Sequence, residues 1–341
     1  MIKACLIGAG RMGTDHAKHI HRSADGELYC VVDLNREAAD TLAEQYGAKA
    51  YGKIEEAFDD SKIEAVVIVS NTATHADLIS AFAKLKKPIF CEKPIDLTLE
   101  KTDECLAAVE EYGVPLLIGF NRRFDPSFQH LESQLRSQLI GNIEQITISS
   151  RDLDLPSVDY LQTSGGIFRD MTIHDFDMIR WMLRDEPVEV YATGSCLVDP
   201  SLKEFGDVDT AMIVMKTAKG TLCHIFNSRR CVFGYDQRIE VSGARGTLHA
   251  HNLHETTVVH SNQDGVKQGC PYPSFPQRYK DAYQLEMDHF FTDVVRKGEK
   301  PWITGKDGRQ AMVIANAATE SLETGKLVTI PEPQVIDSTK V

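Results

Sequence analysis

An apolar run, Ile2 to Ile7, passes directly into Gly8-Ala9-Gly10-Arg11-Met12-Gly13 and then into an amphipathic stretch, Arg11 to Arg22. A strand, a G-x-G-x-x-G turn and a helix in that order leave few folds open. Gly8 permits the tight turn, Gly10 lets a pyrophosphate approach the backbone, and Gly13 lets helix and strand pack closely. The phosphate then meets the N–H groups of the first helical turn, at Arg11, Met12 and Gly13. Twenty residues beyond Gly13, at the end of a second apolar run, stands Asp33. A carboxylate there accepts hydrogen bonds from an adenosine ribose and repels a 2′-phosphate, which favours NAD over NADP. Arg36, three residues on, reads as a solvated arginine of a first helical turn rather than a phosphate partner.

Through about residue 120 the alternation continues, with short runs that are apolar throughout and longer amphipathic stretches: Leu28 to Val32, Arg36 to Tyr46, Ala65 to Val69, Thr74 to Leu85, Pro88 to Cys91, Leu99 to Tyr112 and Val114 to Ile118. Strands covered on both faces and crossover helices make a parallel α/β sheet. After Gly141 the pattern becomes alternating, as in Ile143 to Ser149, Val188 to Gly194, Ala211 to Lys216, Thr221 to Asn227 and Arg238 to Val241. Such alternation predicts an antiparallel sheet with one wet face. Two late stretches, Tyr279 to Arg296 and Asp307 to Thr324, read as helices, the second closed by Gly325. The 341 residues therefore divide into a dinucleotide-binding domain over 1–120, an α+β domain over 121–330 and a loose tail over 331–341.

Charge and cysteine usage narrow the partners. With 37 basic and 50 acidic residues the net charge is −13, a balance that repels phosphate backbones and anionic membranes, so neither nucleic acid nor membrane is expected. No apolar run approaches the roughly 18 residues of a bilayer span. The eight cysteines form no C-x-x-C pair and suit small buried hydrophobes in a reducing compartment. The N-terminus lacks the regions of a signal peptide, so the cytoplasm is the expected location.

The chemistry-bearing residues gather where strands end. The third long strand runs into Ser70-Asn71-Thr72-Ala73-Thr74-His75, at the rim where open α/β sheets bind ligands; Asn71, Thr72 and His75 are candidate cofactor contacts, and helix capping by Thr72 or Thr74 is the plainer reading. The next strand leads into Cys91-Glu92-Lys93-Pro94. Pro94 keeps Lys93 out of helical geometry, so the lysine projects at the carboxyl edge of the sheet, where it can donate to a substrate hydroxyl oxygen; Glu92 beside it is a further cofactor candidate. In Gly165-Gly166-Ile167-Phe168-Arg169-Asp170-Met171-Thr172-Ile173-His174, the Asp170 and His174 side chains share a face if the segment is helical. A histidine takes a hydroxyl proton near neutral pH, and a neighbouring carboxylate orients it. A helix-start aspartate beside a satisfied histidine is the alternative. Asp175 and Asp177 read as structural charges or partners for Arg180. His249, His251, His254 and His260 lack the cysteines and geometry of a zinc site, so no metal is expected.

The ordered set GAGRMG, CEKP, GFNRRFD and GGIFRDMTIHDFDMIRW resembles the oxidoreductase family typified by glucose-fructose oxidoreductase and inositol dehydrogenase, the Gfo/Idh/MocA family, and is most similar to its inositol 2-dehydrogenases. The resemblance runs from residue 1 to about 330. It implies an N-terminal Rossmann domain, a C-terminal α+β domain with a large, mostly antiparallel open sheet, and homo-oligomers, frequently tetramers joined through those sheets. It implies a catalytic set of Lys93, Asp170 and His174 for the NAD-dependent oxidation of a cyclic polyol, myo-inositol to its 2-keto product. Arg123 matches a substrate-contacting arginine, and Asp152 or Asp154 and Tyr235 are further substrate candidates. Phe124 stands where many relatives carry tyrosine. The same scaffold also serves scyllo- or chiro-inositol or an aldose as substrate, and a catalytically silent NAD-binding regulator is the alternative of another class.

Overall fold

The computed structural model describes residues 1–330, so the tail expected over 331–341 lies outside the described residues. The chain forms two units.

The first unit comprises Met1–Asp125 and Tyr279–Arg309. Its strands are β1 (Ile2–Ile7), β2 (Gly26–Val32), β3 (Lys49–Tyr51), β4 (Ala65–Ile68), β5 (Ile89–Glu92) and β6 (Leu116–Gly119), and its helices α1 (Arg11–Arg22), α2 (Arg36–Tyr46), α3 (Ile54–Asp59), α4 (His75–Lys84) and α5 (Leu99–Tyr112). The strand order is β3-β2-β1-β4-β5-β6, and each pairing is parallel. The chain leaves β1 toward one edge and returns at β4 toward the other. That reversal opens the carboxyl end of the sheet between them, the place where such sheets bind ligands. The strands are buried on both faces, with Cys5, Leu6, Val66, Val67, Phe90 and Leu117 fully covered. Helix boundaries follow local chemistry: Asn35 accepts the Ala38 N–H at 3.3 Å to start α2, and Thr98 accepts the Lys101 N–H at 3.3 Å to start α5.

The expected contiguous division at residue 120 is not the one the packing makes. Tyr279–Arg309 belongs with the first unit because its aromatic residues fill that unit's surface. Tyr283 meets the His16 ring edge-on at 5.6 Å and stacks on His19 at 5.9 Å. Phe290 packs on Phe90 at 6.0 Å, and Phe291 lies where a side chain at Gly26 would have to be, 2.8 Å from its Cβ position. Tyr279 to Arg296 is also not one regular helix: it is α-helical over Lys280–Asp288 and widens to π spacing over His289–Arg296.

Among the described residues, the second unit comprises Pro126–Arg278 and 310–330. Its elements are α6 (Pro126–Arg136), β7 (Ile143–Arg151), α7 (Val158–Thr163), α8 (Ile173–Leu183), β8 (Pro187–Ser195), β9 (Thr210–Thr217), β10 (Leu222–Ser228), β11 (Asp236–Gly243), β12 (Gly246–Ala250), β13 (Val259–Asn262), β14 (Gly265–Gln268) and β15 (Val328–Thr329). A seven-stranded sheet runs β12-β11-β7-β10-β9-β8-β15, antiparallel except for the β7–β10 pair. One face is covered by α8, whose Ile173, Phe176, Ile179 and Met182 are fully buried. The other face is open and apolar: Tyr191 opposes Val214 across β8 and β9, and Met212 opposes Phe226 across β9 and β10. Tyr191, Met212, Val214 and Leu222 are 41–52% exposed on this face.

No helix among the described residues is long and apolar enough to cross a membrane. All eight cysteines are free, and seven are buried.

Candidate active site

The glycine turn is built by close backbone approach. Gly8 adopts φ +109°, and a Cβ there would lie 2.8 Å from the Val69 carbonyl oxygen. A Cβ at Gly13 would lie 2.0 Å from the Gly8 carbonyl oxygen, so only glycine lets α1 start this close to β1. Over Gly10 there is nothing within 4 Å. The backbone there faces open space, and α1 begins with no acidic residue and no side-chain cap in its first turn. The N–H groups that open α1 at Arg11, Met12 and Gly13, at the positive end of the helix, form a cradle that fits a pyrophosphate.

Asp33 closes the turn. Its Oδ2 accepts the Ala9 N–H at 2.7 Å and its Oδ1 the Asn35 N–H at 2.8 Å, which fixes the carboxylate at the tip of β2 with lone pairs to spare for ribose hydroxyls. Arg36 is exposed and paired with Asp40 at 2.9 Å, in keeping with its reading as a solvated arginine. At the end of β4 the capping residue is Asn71, rather than Thr72 or Thr74: its Oδ1 accepts the Ala73 N–H at 3.0 Å. Thr74 Oγ1 donates to the Asn71 carbonyl at 2.8 Å and lies 2.7 Å from Ser70 Oγ.

His75 is buried, with Nδ1 2.9 Å from the Pro94 carbonyl oxygen and Nε2 3.0 Å from that of Ser70. Burial pushes its pKa below the usual imidazole range, against the opposing pull of those carbonyls and of Glu92 and Asp96. Glu92 is also buried. Its Oε1 lies 2.7 Å from His16 Nε2, and its Oε2 accepts the Lys93 N–H at 3.1 Å. Lys93 itself is half-buried at the carboxyl end of β5. Arg123, in the turn after β6, is buried and bonds Asp307 at 3.0 Å, and Phe124 stacks flat on Trp302 at 5.4 Å.

In the second unit the backbone widens to π spacing over Phe168–Thr172 and returns to α-helix at Ile173, so Asp170 lies in the widened segment and His174 in the first turn of α8. A π segment is a common device at functional sites. Asp170 is held on two sides: Tyr160 donates to its Oδ1 at 2.6 Å, and both terminal nitrogens of the Arg229 guanidinium donate to its Oδ2 at 3.2 Å. Arg229 is fully buried and forms an ion pair with the Asp170 carboxylate. His174 is half-buried. Neither Tyr160 nor Arg229 stands out in the sequence as a partner of Asp170. Asp175 is a structural charge, buried and bonded to Ser150 at 2.6 Å and Asn227 at 2.8 Å, whereas Arg180 bonds Glu186 through two 2.7 Å contacts.

Of the remaining candidates, Asp152 is half-buried beside the end of β10, its N–H bonded to the Ser228 carbonyl at 2.9 Å, and Asp154 is exposed. Tyr235 is buried, its N–H bonded to the Tyr272 carbonyl. His249 stacks on His251 at 5.5 Å and lies 3.2 Å from Glu240, while His254 lies 2.7 Å from the Gly269 carbonyl oxygen. Among the described residues no group of three metal-ligating side chains stands together.

Two family models match successive parts of the chain. Residues 2–120 match the model of an oxidoreductase family with an NAD-binding Rossmann fold, and residues 128–249 match the GFO/IDH/MocA C-terminal domain. A Thermotoga maritima protein named myo-inositol 2-dehydrogenase is 42% identical over 96% of this chain and 98% of its own. The crystal structure of a myo-inositol dehydrogenase from Corynebacterium glutamicum, 41% identical, superposes with a TM-score of 0.92 over 97% of this chain and 99% of that one. A scyllo-inositol dehydrogenase from Lactobacillus casei, solved with NAD(H) and scyllo-inositol bound, is 26% identical with a TM-score of 0.91 over 97% and 99% of the two chains.

Proposed function

The chain belongs to the GFO/IDH/MocA oxidoreductase family, and on that premise we propose that it oxidises a secondary hydroxyl of a cyclic polyol, foremost myo-inositol, to the ketone with NAD. The observation that carries the reading is the carboxylate of Asp33 bonded into a glycine turn, at the same edge of the sheet as Lys93, in a chain whose near-full-length relatives are named for that activity.

NAD, when bound, accepts the hydride that leaves the carbinol carbon. The N–H groups after Gly10 hold its pyrophosphate, Asp33 its adenosine ribose, and Asn71 and Thr72 line the rim. His174 takes the proton from the substrate hydroxyl, Lys93 donates to that oxygen as alkoxide charge develops, and Asp170 orients substrate and base. Arg123, Tyr235 and Asp152 or Asp154 bind the remaining hydroxyls. Asp33 disfavours NADP. The apolar open face of the second unit's sheet suits association with further copies of the chain as a homo-oligomer, a tetramer by family resemblance. The free thiols suit the cytoplasm.

A panel of myo-, scyllo- and chiro-inositol and aldoses, each with NAD and with NADP, followed by NADH or NADPH absorbance, tests this. The expected result is highest kcat/KM with myo-inositol and NAD. Higher kcat/KM with scyllo-inositol or an aldose replaces the substrate, and NAD binding without turnover on any member of the panel overturns the enzymatic reading.

A further inference from the structure

The backbone on either side of the Lys93 side chain is held by buried polar groups that come from elsewhere in the first unit. On the near side, Glu92 Oε2 accepts the Lys93 N–H, and the other oxygen of the same carboxylate is fixed by His16, in the second turn of the helix that the glycine turn starts. On the far side, the Pro94 carbonyl meets His75 Nδ1, and the opposite ring nitrogen meets the Ser70 carbonyl at the end of β4. His16 and His75 are 0% and 1% exposed. Filling space alone does not call for them: an apolar ring or leucine fills a buried site without the desolvation that a polar ring incurs. What the imidazole of His75 provides is one N–H, donated to the Pro94 carbonyl in the tautomer protonated at Nδ1, on a rigid ring wedged between that carbonyl and the Ser70 carbonyl at the neighbouring strand end.

We propose that His75 is a positioning residue for Lys93, fixing the Lys93-Pro94 turn against the β4 rim and so setting where the lysine side chain leaves the sheet, with the Glu92–His16 pair as the matching hold on the other side. The inference rests on the reading of Lys93 as the group that holds the substrate oxygen. Lys93 has several rotatable bonds and reaches its target only if its backbone is fixed. A displacement of about 1 Å costs on the order of 10²-fold in rate. His75 touches neither substrate nor cofactor in this role and acts through Lys93 alone.

The test is a double-mutant cycle. His75→Leu is expected to lower kcat for the polyol by about 10- to 100-fold, consistent with misplacement of a catalytic group, while the NADH dissociation constant stays within a few-fold of wild type. In a Lys93→Ala background the same substitution is expected to cost nothing further, because the group it positions is gone. Losses that add in the double variant, or a His75→Leu protein with wild-type kcat, overturn the inference. If His75→Leu does not fold, the conservative pair decides. An asparagine amide reproduces a donor at Nδ1, facing Pro94, and a glutamine amide one at Nε2, facing Ser70, so His75→Asn must turn over faster than His75→Gln; equality or the reverse order overturns the proposal. Lys93→Ala with wild-type turnover sinks the underlying reading of Lys93 and this inference with it. An impaired Lys93→Ala combined with additive losses sinks the inference alone.

Discussion

Glu286 is fully buried, and neither of its carboxylate oxygens has a hydrogen-bond partner. Burial, and then the charge of Glu92, push its pKa well above the carboxyl range. In the unfolded chain the same group ionises above about pH 4.3, while in the folded chain it keeps its proton. The folded state therefore loses stability as pH rises, at about 1.4 kcal/mol per unit while that mismatch lasts. Glu286→Gln is expected to raise the Tm at pH 8 and to leave it nearly unchanged at pH 4; a variant whose Tm falls equally at both values contradicts this. Lys93 and His174 are tested at the same scale. Each alanine variant should lose at least about 10²-fold in kcat, the usual contribution of a positioned proton-transfer group, while still binding NADH. Near-wild-type turnover in either removes its assigned role. The positions of Gly8, Gly10, Gly13 and Asp33 were legible because a strand, a turn and a helix in fixed order place them, and that of Lys93 because a strand runs into a proline. Tyr160 and Arg229 were not. They lie 10 and 59 residues from Asp170, and a tyrosine and an arginine on the surface of a sequence carry no mark of the carboxylate they will meet.

Among elements, agreement is best where one physical signal acts alone. α1, α2 and α5 have the expected limits, because glycine turns, caps and amphipathic spacing coincide at their ends. β3 and α3 went unrecognised: one exposed and two half-buried residues followed by a six-residue helix are too short for either periodicity to register. The widened turns at Phe168–Thr172 and His289–Arg296 were equally invisible, since one extra residue per turn alters a 3.6-residue pattern less than ordinary sequence variation does. The open sheet face gives an element-scale prediction. Val214 is 47% exposed in the middle of an apolar strip, and a carboxylate there is costly to bury against a partner. Val214→Asp should shift the protein to a smaller species in light scattering at unchanged helix content. The same mass as wild type contradicts the proposed association through this face.

At the scale of the molecule, the parallel and mostly antiparallel sheets were both legible as a change of period near residue 140. The make-up of the units was not, because residues 279–309 return to the first of them, and nothing local in that stretch shows which sheet its aromatic side chains will cover. Fragments test this directly: residues 1–125 alone should stay partly unfolded and recover cooperative melting when a peptide of residues 279–309 is added in trans. Cooperative melting of the 1–125 fragment by itself would show the late segment to be dispensable.

A chain made from its N-terminus onward meets this arrangement as a delay. With Phe90 and the hollow at Gly26 waiting for Phe290 and Phe291, the nascent dinucleotide-binding half stays uncovered while the ribosome adds about 150 more residues. At 5–20 residues per second that is roughly 8–30 s. Over that interval the uncovered sheet is open to chaperones and proteases, and slow decoding between residues 125 and 279 would lengthen its exposure.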